Sequence, residues 1–285
     1  MNLRKATRQK AKIRLGLSAV SGGGKTYSAL LIAYGLCGDW SKVALIDTEN
    51  GSGDLYADLG PYNVLPLTPD FTPEKYIQAI KACEAAGMEV IIIDSASHEW
   101  SGQGGCLEQN ELLAKVKYKG NTWSAWNETT PRHQKYIDAI ISSSCHVITT
   151  TRSKTETIQT EDKKIKKVGM KEIQREGFEY ELTISLDMEK DGHYAVASKD
   201  RTGLFIDRPA FVPTVDTGKL IRQWCEQGVD VDAEIVDGIE RIKMCQTPTE
   251  MKAVKAALPS HVTSSPKWID AAKSHYEQLN TTANV

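Results

Sequence analysis

Short apolar runs alternate with longer amphipathic segments through the first third of the chain. The runs IRLGLSA (13–19), KVALID (42–47) and MEVIIID (88–94) have the length and composition of strands buried on both faces. Helical apolar spacing follows the first run in YSALLIAYGL (27–36) and precedes the third in PEKYIQAIKACEAAG (73–87). Strands that alternate with helices predict right-handed βαβ crossovers and a mostly parallel sheet, which is an α/β fold.

The middle of the chain is less regular. Residues 95–130 are polar, with one predicted helix around LEQNELLAKV, and this segment is too long for a simple connection. A further helix is predicted at PRHQKYIDAIISS (131–143) and a further core strand at CHVITTT (145–151). EYELTISLDM and HYAVASK then alternate apolar and polar residues around the turn signal Asp191-Gly192, which predicts an antiparallel hairpin at one edge of the sheet.

The pattern changes to helices alone after Pro213. Helical spacing is found in TGKLIRQWCEQG, AEIVDGIERIKMC, TPTEMKAVKAALP and SPKWIDAAKSHYEQL. We therefore predict three parts: a basic N-terminal arm over 1–14, an α/β core over 15–213 and a small helical module over 214–285.

Composition places the chain among ordinary globular proteins, with 40% hydrophobic and 25% charged residues in 285. No apolar run approaches the roughly 18 residues that cross a bilayer, and no signal-type segment follows the N-terminus, so we expect a cytoplasmic protein. The six cysteines show neither a CxxC pair nor the Cys/His spacing typical of zinc sites. We interpret them as reduced thiols, mostly in the core.

Charge is unevenly distributed along the chain although its formal net value is only −2. Residues 1–14 carry six basic and no acidic side chains, and residues 152–171 carry seven basic against three acidic ones. Such runs are typical of a solvated surface as well as of phosphate contacts, so both interpretations stay open.

The segment AVSGGGKT (19–26) is the strongest local signal. Glycines let backbone N–H groups wrap phosphates at close range, Lys25 can reach the β and γ phosphates, and the Thr26 hydroxyl can ligate Mg²⁺. The candidate nucleotide-binding residues are Ser21, Gly22, Gly23, Gly24, Lys25, Thr26 and Tyr27. Ala19 stands where such loops usually have their first glycine, and the alternative is a chance glycine-rich turn.

Carboxylates end the second and third predicted strands. Asp94 ends MEVIIID in the manner of a Walker B aspartate and is expected to hold Mg²⁺ opposite Thr26; the alternative is a cap of the next turn. Glu49 lies two residues past a strand end, where a carboxylate can polarise an attacking water as general base. Asp47 is the competing candidate, although its position suits a structural hydrogen bond better.

The order of KVALIDTENGSGDLYADLG, VIIIDSAS, HVITTTRSK and SKDRTG resembles the RecA-like recombinase core. More closely, TTTRSKTE, KVGMKEIQREGFEYELTISLDM and HYAVASKDRTGLF are similar to bacteriophage AAA-type ATPases related to the Sak single-strand-annealing proteins, over residues 12 to about 210. The resemblance implies a RecA-like P-loop NTPase that uses ATP and Mg²⁺ and forms a homo-oligomeric ring or filament on single-stranded DNA. A single-strand-binding protein is a further candidate partner, and the location implied is the host bacterial cytoplasm.

Several residue roles follow from this resemblance. Glu49 matches the RecA-type catalytic glutamate, and Lys25 belongs with it in the catalytic set. Lys199 and Arg201 match basic residues that reach the ATP of a neighbouring subunit, the alternative being a solvated hairpin end. RecA-like proteins usually place a γ-phosphate-sensing glutamine where this chain has Thr149 to Thr151, so Arg152 is the nearest substitute.

Two segments, at about 97–127 and 152–171, fall where RecA-like proteins place their DNA-contacting loops. Lysines neutralise phosphates without reading sequence, and Trp123 or Trp126 can stack on unpaired bases, unless these rings belong to the core or an interface. Two other functions stay open: a small-molecule phosphotransferase of the P-loop class, and a nucleotide-gated assembly or loading factor. The lysine-rich second segment followed by a hairpin favours DNA over the arginine-rich lid typical of kinases.

Overall fold

The structure is a computed structural model that describes residues 6, 8–159 and 165–282. Its strands are β1 Arg14–Ala19, β2 Val43–Asp47, β3 Asn63–Pro66, β4 Val90–Asp94, β5 His146–Gln159, β6 Ile165–Glu172, β7 Ile184–Met188 and β8 Ala195–Asp200. Its α-helices are α1 Lys25–Cys37, α2 Pro73–Ala85, α3 Ser97–Ser101, α4 Cys106–Lys117, α5 Thr122–Ser142, α6 Phe178–Glu181, α7 Val215–Cys225, α8 Val231–Lys243, α9 Pro248–Ala257, α10 Ser260–Thr263 and α11 Pro266–Thr282.

The central sheet has the strand order β3-β2-β4-β5-β1-β7-β8. Every neighbouring pair along this order is parallel except β7 with β8, which form an antiparallel edge hairpin. The predicted α/β fold, with its mostly parallel sheet and antiparallel edge hairpin, is therefore confirmed. β5 lies between β1 and β4, so the carboxyl ends of these three strands meet at one edge of the sheet.

Two segments differ from their sequence-based description. The described residues of the basic segment at 152–171 form an antiparallel strand pair, in which β5 continues past the sheet and pairs with β6 from Ser153 and Glu172 outward; residues 160–164 lie outside the described part of the chain. The helix predicted from 131 begins at Thr122, where the Asn121 side chain accepts a hydrogen bond from Ser124 N–H at 3.1 Å, and it continues through Pro131. Sequence reasoning starts a helix at a proline because the ring removes an internal hydrogen bond, but packing of α5 overrides this local cost.

Apolar side chains on the two faces of the sheet form two separate core layers. On β4, Val90 and Ile92 join the layer that contains α1, whereas Ile91 and Ile93 join the layer that contains α2 and α5. This alternation follows from the two-residue period of a strand. Each fully buried side chain of this size contributes about 2 kcal/mol to folding, which is why the strands read as continuous apolar runs.

Helix α7 packs against α1 at backbone contact. A Cβ atom added to Gly35 would lie 2.1 Å from the Val215 carbonyl oxygen, and one added to Gly218 would lie 2.2 Å from the Ile32 carbonyl oxygen. By its contacts the chain separates into two compact units, one of residues 12–225 and one that joins 226 onward with the described residues up to 11. Helix α7, placed with the helical module by sequence, thus groups with the α/β core.

The second unit is helical and has its own apolar centre, in which α8 and α11 pack through Ile242 and Trp268. Gln9 pairs with Val229 in a short β-bridge, and Lys10 Nζ lies 3.1 Å from an Asp230 carboxylate oxygen. Residues 1–5 and 7 of the predicted basic arm lie outside the described residues. None of the helices in the described part of the chain is both long and apolar enough to cross a membrane.

Arg14, counted with the basic arm by sequence, is a buried residue of β1. Its guanidinium donates hydrogen bonds to the backbone carbonyls of Ile13, Ile141, Ser143 and Cys145 at 2.6–3.0 Å. Burial lowers its pKa to about 10. This arginine therefore ties the start of β1 to the α5–β5 connection and is not part of a surface arm.

Candidate nucleotide site

The loop between β1 and α1 depends on glycine at three successive positions. Gly22 and Gly24 have φ angles of 78° and 81°, in the left-handed region that other residues avoid. Gly23 has no room for a side chain, because its Cβ would lie 2.6 Å from the Cβ of Ala19. Ala19, which stands where such loops usually have their first glycine, is the buried last residue of β1. The strand, the glycine loop and helix α1 still follow one another in the expected order.

Lys25 is the first residue of α1 and lies beneath this loop. Its Nζ donates hydrogen bonds to the carbonyl oxygens of Ala19 and Val20, both at 3.1 Å. Burial lowers the Lys25 pKa, while the charges of Asp94 and Glu49 act in the opposite direction. The ammonium group and the free N–H groups of the first turn of α1 thus converge where an anion can bind.

Thr26 and Asp94 are in direct contact. Thr26 Oγ1 donates to Asp94 Oδ2 at 2.5 Å, and Thr150 Oγ1 donates to the other carboxylate oxygen, Oδ1. Asp94 is only 2% exposed, and burial raises its pKa although both hydroxyl contacts lower it. A buried carboxylate beside a hydroxyl offers the hard oxygen ligands that Mg²⁺ prefers, so these two residues fit the ion.

Glu49 follows β2 and forms an ion pair with Arg152 at the end of the in-sheet part of β5, with Nη2 2.9 Å from Oε1. Asp47, the competing candidate, accepts hydrogen bonds from the backbone N–H groups of Glu49 and Gly53 at 2.7 and 3.2 Å. Its carboxylate therefore stabilises the turn after β2.

These side chains surround one cavity of about 330 Å³. In the described part of the chain it is lined by Ser21, Gly22, Gly23, Gly24, Lys25, Thr26, Glu49, Ser52, Tyr56, Asp94 and Arg152. Tyr27 is outside this lining and half-exposed, with its ring edge-on to Tyr56 at 5.9 Å. Sequence reasoning missed Ser52 and Tyr56, because the short helix Ser52–Leu59 that carries them has no distinctive pattern.

Lys199 and Arg201 lie elsewhere, at the end of β8. Lys199 Nζ donates to the Glu179 carbonyl at 2.7 Å, and Arg201 Nη2 donates to the Tyr180 carbonyl at 2.8 Å. The structure therefore brings these two cations to each other and to the backbone of α6, and not to the cavity lining of their own chain.

The other polar side chains at this edge of the sheet have structural contacts. Thr149, Thr150 and Thr151 are buried, and only Thr150 is bonded to Asp94. His98 shares a hydrogen bond of 2.7 Å with Thr48 Oγ1, and its ring stacks on Phe71 at 5.1 Å. Burial and the charge of Arg152 lower the His98 pKa.

A second site outside the nucleotide cavity contains three tryptophans. We call it the tryptophan surface, and it consists of Trp100, Trp123 and Trp126. Trp100 and Trp126 stack with ring centroids 5.5 Å apart, and the Arg175 guanidinium lies 5.8 Å from the Trp126 centroid. Trp123 is 85% exposed, so it is not a core residue of this chain. The three rings border an open cavity of about 680 Å³.

The chain matches a known protein-family model over most of its length. The family model described as "AAA domain" matches residues 11–253. No curated protein matches the chain. Among solved structures, a prototypical ATPase from the type III secretion system of pathogenic bacteria is 14% identical, with 94% of this chain and 80% of that chain covered and a TM-score of 0.37. Since the family match spans most of the chain, this protein belongs to the AAA domain family and is an ATP-binding P-loop protein of the ATPase type.

Proposed function

We propose that this protein hydrolyses ATP in the presence of Mg²⁺ and couples the hydrolysis to single-stranded DNA. The observation that carries the first half is the single cavity lined by the glycine loop, Lys25, Thr26, Asp94 and Glu49. These groups come from three separate stretches of chain, and each has the chemistry that phosphoryl transfer to water requires.

Binding is assigned to the glycine loop and Lys25, which hold the phosphates, and to Thr26 and Asp94, which hold the ion. Bound Mg²⁺ supplies positive charge to the phosphate oxygens. Glu49 orients a water molecule in the cavity and accepts its proton, for which its partly exposed carboxylate is well placed. Asp47 is unsuited to this role because backbone N–H groups already occupy both its oxygens.

Lys199 and Arg201 are assigned to the ATP of a neighbouring subunit in a homo-oligomeric ring or filament. They lie outside their own cavity, as residues that act on another subunit must. Cations supplied in this way raise hydrolysis rates by roughly 10³ to 10⁵ in comparable systems.

Single-stranded DNA is the partner that two features favour. The exposed Trp123 ring beside stacked Trp100 and Trp126 suits unpaired bases, which stack on aromatic rings regardless of sequence. Lys154, at the base of the β5–β6 strand pair, is exposed and supplies a positive charge that can contact the phosphates of DNA. With the resemblance to Sak-related proteins, these features support a role in bacteriophage recombination or annealing in the host cytoplasm, with a single-strand-binding protein as a candidate partner.

The deciding experiment measures ATP turnover per subunit at increasing protein concentration, with and without single-stranded DNA. A rate that climbs with concentration and rises further with DNA is expected. Lys25→Ala should abolish turnover, whereas Lys42→Ala, which alters a half-buried lysine directly before β2 that is not part of the cavity lining, should not. Turnover that ignores DNA but rises with a small-molecule acceptor or a protein partner would instead identify a phosphotransferase or a loading factor.

A further inference from the structure

Glu99, Cys106 and His133 form a compact buried cluster away from the nucleotide cavity. Cys106 Sγ lies 3.1 Å from Glu99 Oε1, and His133 Nδ1 lies 3.0 and 3.1 Å from the two oxygens of the same carboxylate. All three side chains are buried, and their ligand-type atoms lie within 4.8 Å of one another. Within the described part of the chain, Cys106 and His133 are the side chains that hydrogen-bond to the Glu99 carboxylate.

Three helices supply the cluster, and a tight turn brings them together. Glu99 belongs to α3, His133 to α5, and Cys106 is the first residue of α4. Between α3 and α4 the chain reverses so closely that a Cβ atom on Gly105 would lie 2.7 Å from the His98 carbonyl oxygen. Cys106 therefore returns over Glu99 after only seven residues.

The donor set is chemically that of a zinc site. Zinc takes cysteine sulfur at about 2.3 Å and histidine nitrogen or carboxylate oxygen at about 2.0–2.2 Å, which puts neighbouring ligand atoms of a tetrahedral site roughly 3.3–3.7 Å apart. The present separations of 3.0–3.1 Å need to expand by only a few tenths of an ångström. Zn²⁺ with one thiolate, one carboxylate and a neutral imidazole is electrically neutral overall, as a buried site should be.

One detail beyond the donor set favours an ion over a purely hydrogen-bonded cluster. Tyr136, one turn along α5, has a fully buried hydroxyl with no hydrogen-bond partner among the described residues, although buried hydroxyls normally have one. An ion whose fourth ligand is a water molecule would provide such a partner.

We propose that Glu99, Cys106 and His133 bind one Zn²⁺ ion that joins α3, α4 and α5. The ion would lie directly behind the tryptophan surface, because the Trp100 ring packs on His133 at 5.4 Å and stacks on Trp126. The site thereby fixes the relative positions of the helices that carry these rings. It does not depend on the proposed ATPase function.

The test begins with the full-length wild-type chain, purified without chelators and analysed for zinc by mass spectrometry. We expect about one zinc per chain, and after replacement by Co²⁺ a thiolate-to-cobalt charge-transfer band in the near ultraviolet. Lys25→Ala should retain both signals, which separates this site from the nucleotide cavity. A wild-type chain that contains no stoichiometric zinc and shows no band on addition of Co²⁺ overturns the proposal.

Matched cysteine variants locate the site. Cys106→Ser should lose the cobalt band and bind zinc about 100-fold more weakly, whereas Cys83→Ser, which alters a buried cysteine of α2, should behave as wild type. A band that persists in Cys106→Ser contradicts the assignment. If Cys106→Ser fails to fold, X-ray absorption at the zinc edge of the wild-type protein decides: one sulfur with nitrogen or oxygen neighbours supports the site, and absence of sulfur refutes it.

Discussion

Arg152 holds the carboxylate of Glu49, with Nε 3.0 Å and Nη2 2.9 Å from the same oxygen, Oε1. The backbone of Arg152 is fixed as well, since its N–H donates to Ser97 Oγ at 2.9 Å and its carbonyl accepts from Ile173 N–H at 2.7 Å. This arginine is thus both the base of the β5–β6 strand pair and the partner of the proposed general base. Glu49 Oε1 must leave this contact before it can accept a proton from water, so the contact is expected to restrain hydrolysis.

Glu49→Gln is expected to bind ATP normally and to hydrolyse it about 10² to 10⁴ times more slowly, because the amide cannot accept a proton from water. Binding is measured with a fluorescent nucleotide, and hydrolysis by phosphate release. Normal turnover in this variant would mean that the base lies elsewhere. Asp47→Asn serves as comparison and should mainly lower thermal stability, since that side chain bonds to the turn backbone.

Arg152→Gln removes the charge from the Glu49 contact while retaining hydrogen-bonding groups. We expect a several-fold higher ATPase rate in the absence of DNA and a smaller stimulation by DNA, because Glu49 is released in advance. Lys154→Gln, two residues along the same strand, is the matched control for loss of a cation from the strand pair. An equal fall of the rate with and without DNA would show that Arg152 acts on the phosphates instead.

Subunit complementation tests Lys199 and Arg201. The double variant Lys199→Ala, Arg201→Ala should be nearly inactive alone, as should Glu49→Gln. Mixing the two variants should restore part of the activity, because some sites then combine an intact Glu49 with intact cations from a neighbour. No recovery at any mixing ratio, with oligomers still forming by light scattering, would place the two cations outside the active site.

Trp123→Ala should weaken single-stranded DNA binding by about 1–3 kcal/mol, the range for loss of one stacked base. Fluorescence anisotropy of a labelled oligonucleotide measures the change, and Trp123→Phe should retain part of the affinity. Since Trp123 is 85% exposed, thermal stability should hardly change. Unchanged affinity in the alanine variant would remove the tryptophan surface from the DNA path.

Stability should depend on pH through Glu172. Burial raises its pKa to about 7, and the charge of Asp187 contributes in the same direction. The native state therefore keeps a proton that the unfolded chain loses near pH 4, so the free energy of unfolding falls as the pH rises from about 5 to about 7, by at most about 3 kcal/mol. Urea unfolding at several pH values should show this slope in wild type and a flatter one in Glu172→Gln. The exposed neighbour Glu176→Gln should leave the slope unchanged.

Local patterns predicted much of the core. The apolar runs identified β1, β2, β4 and the in-sheet part of β5, because strands buried on both faces leave no polar positions. The glycine loop was equally visible, because backbone geometry restricts the residue type. The short edge strand β3 and the early start of α5 were not, since both are decided by neighbours in space.

The sequence by itself determined an α/β protein with a phosphate-binding loop, and named Lys25, Thr26, Glu49 and Asp94 as its candidate chemistry. Only the tertiary structure decided that β5 lies between β1 and β4, which brings Thr150 to Asp94 and Arg152 to Glu49 across separations of 56 and 103 residues. The tertiary structure alone also places Glu99 and Cys106 next to His133. The physical reason is that motifs record the conformational limits of adjacent residues, whereas these contacts depend on strand order and helix packing, which no local spacing encodes.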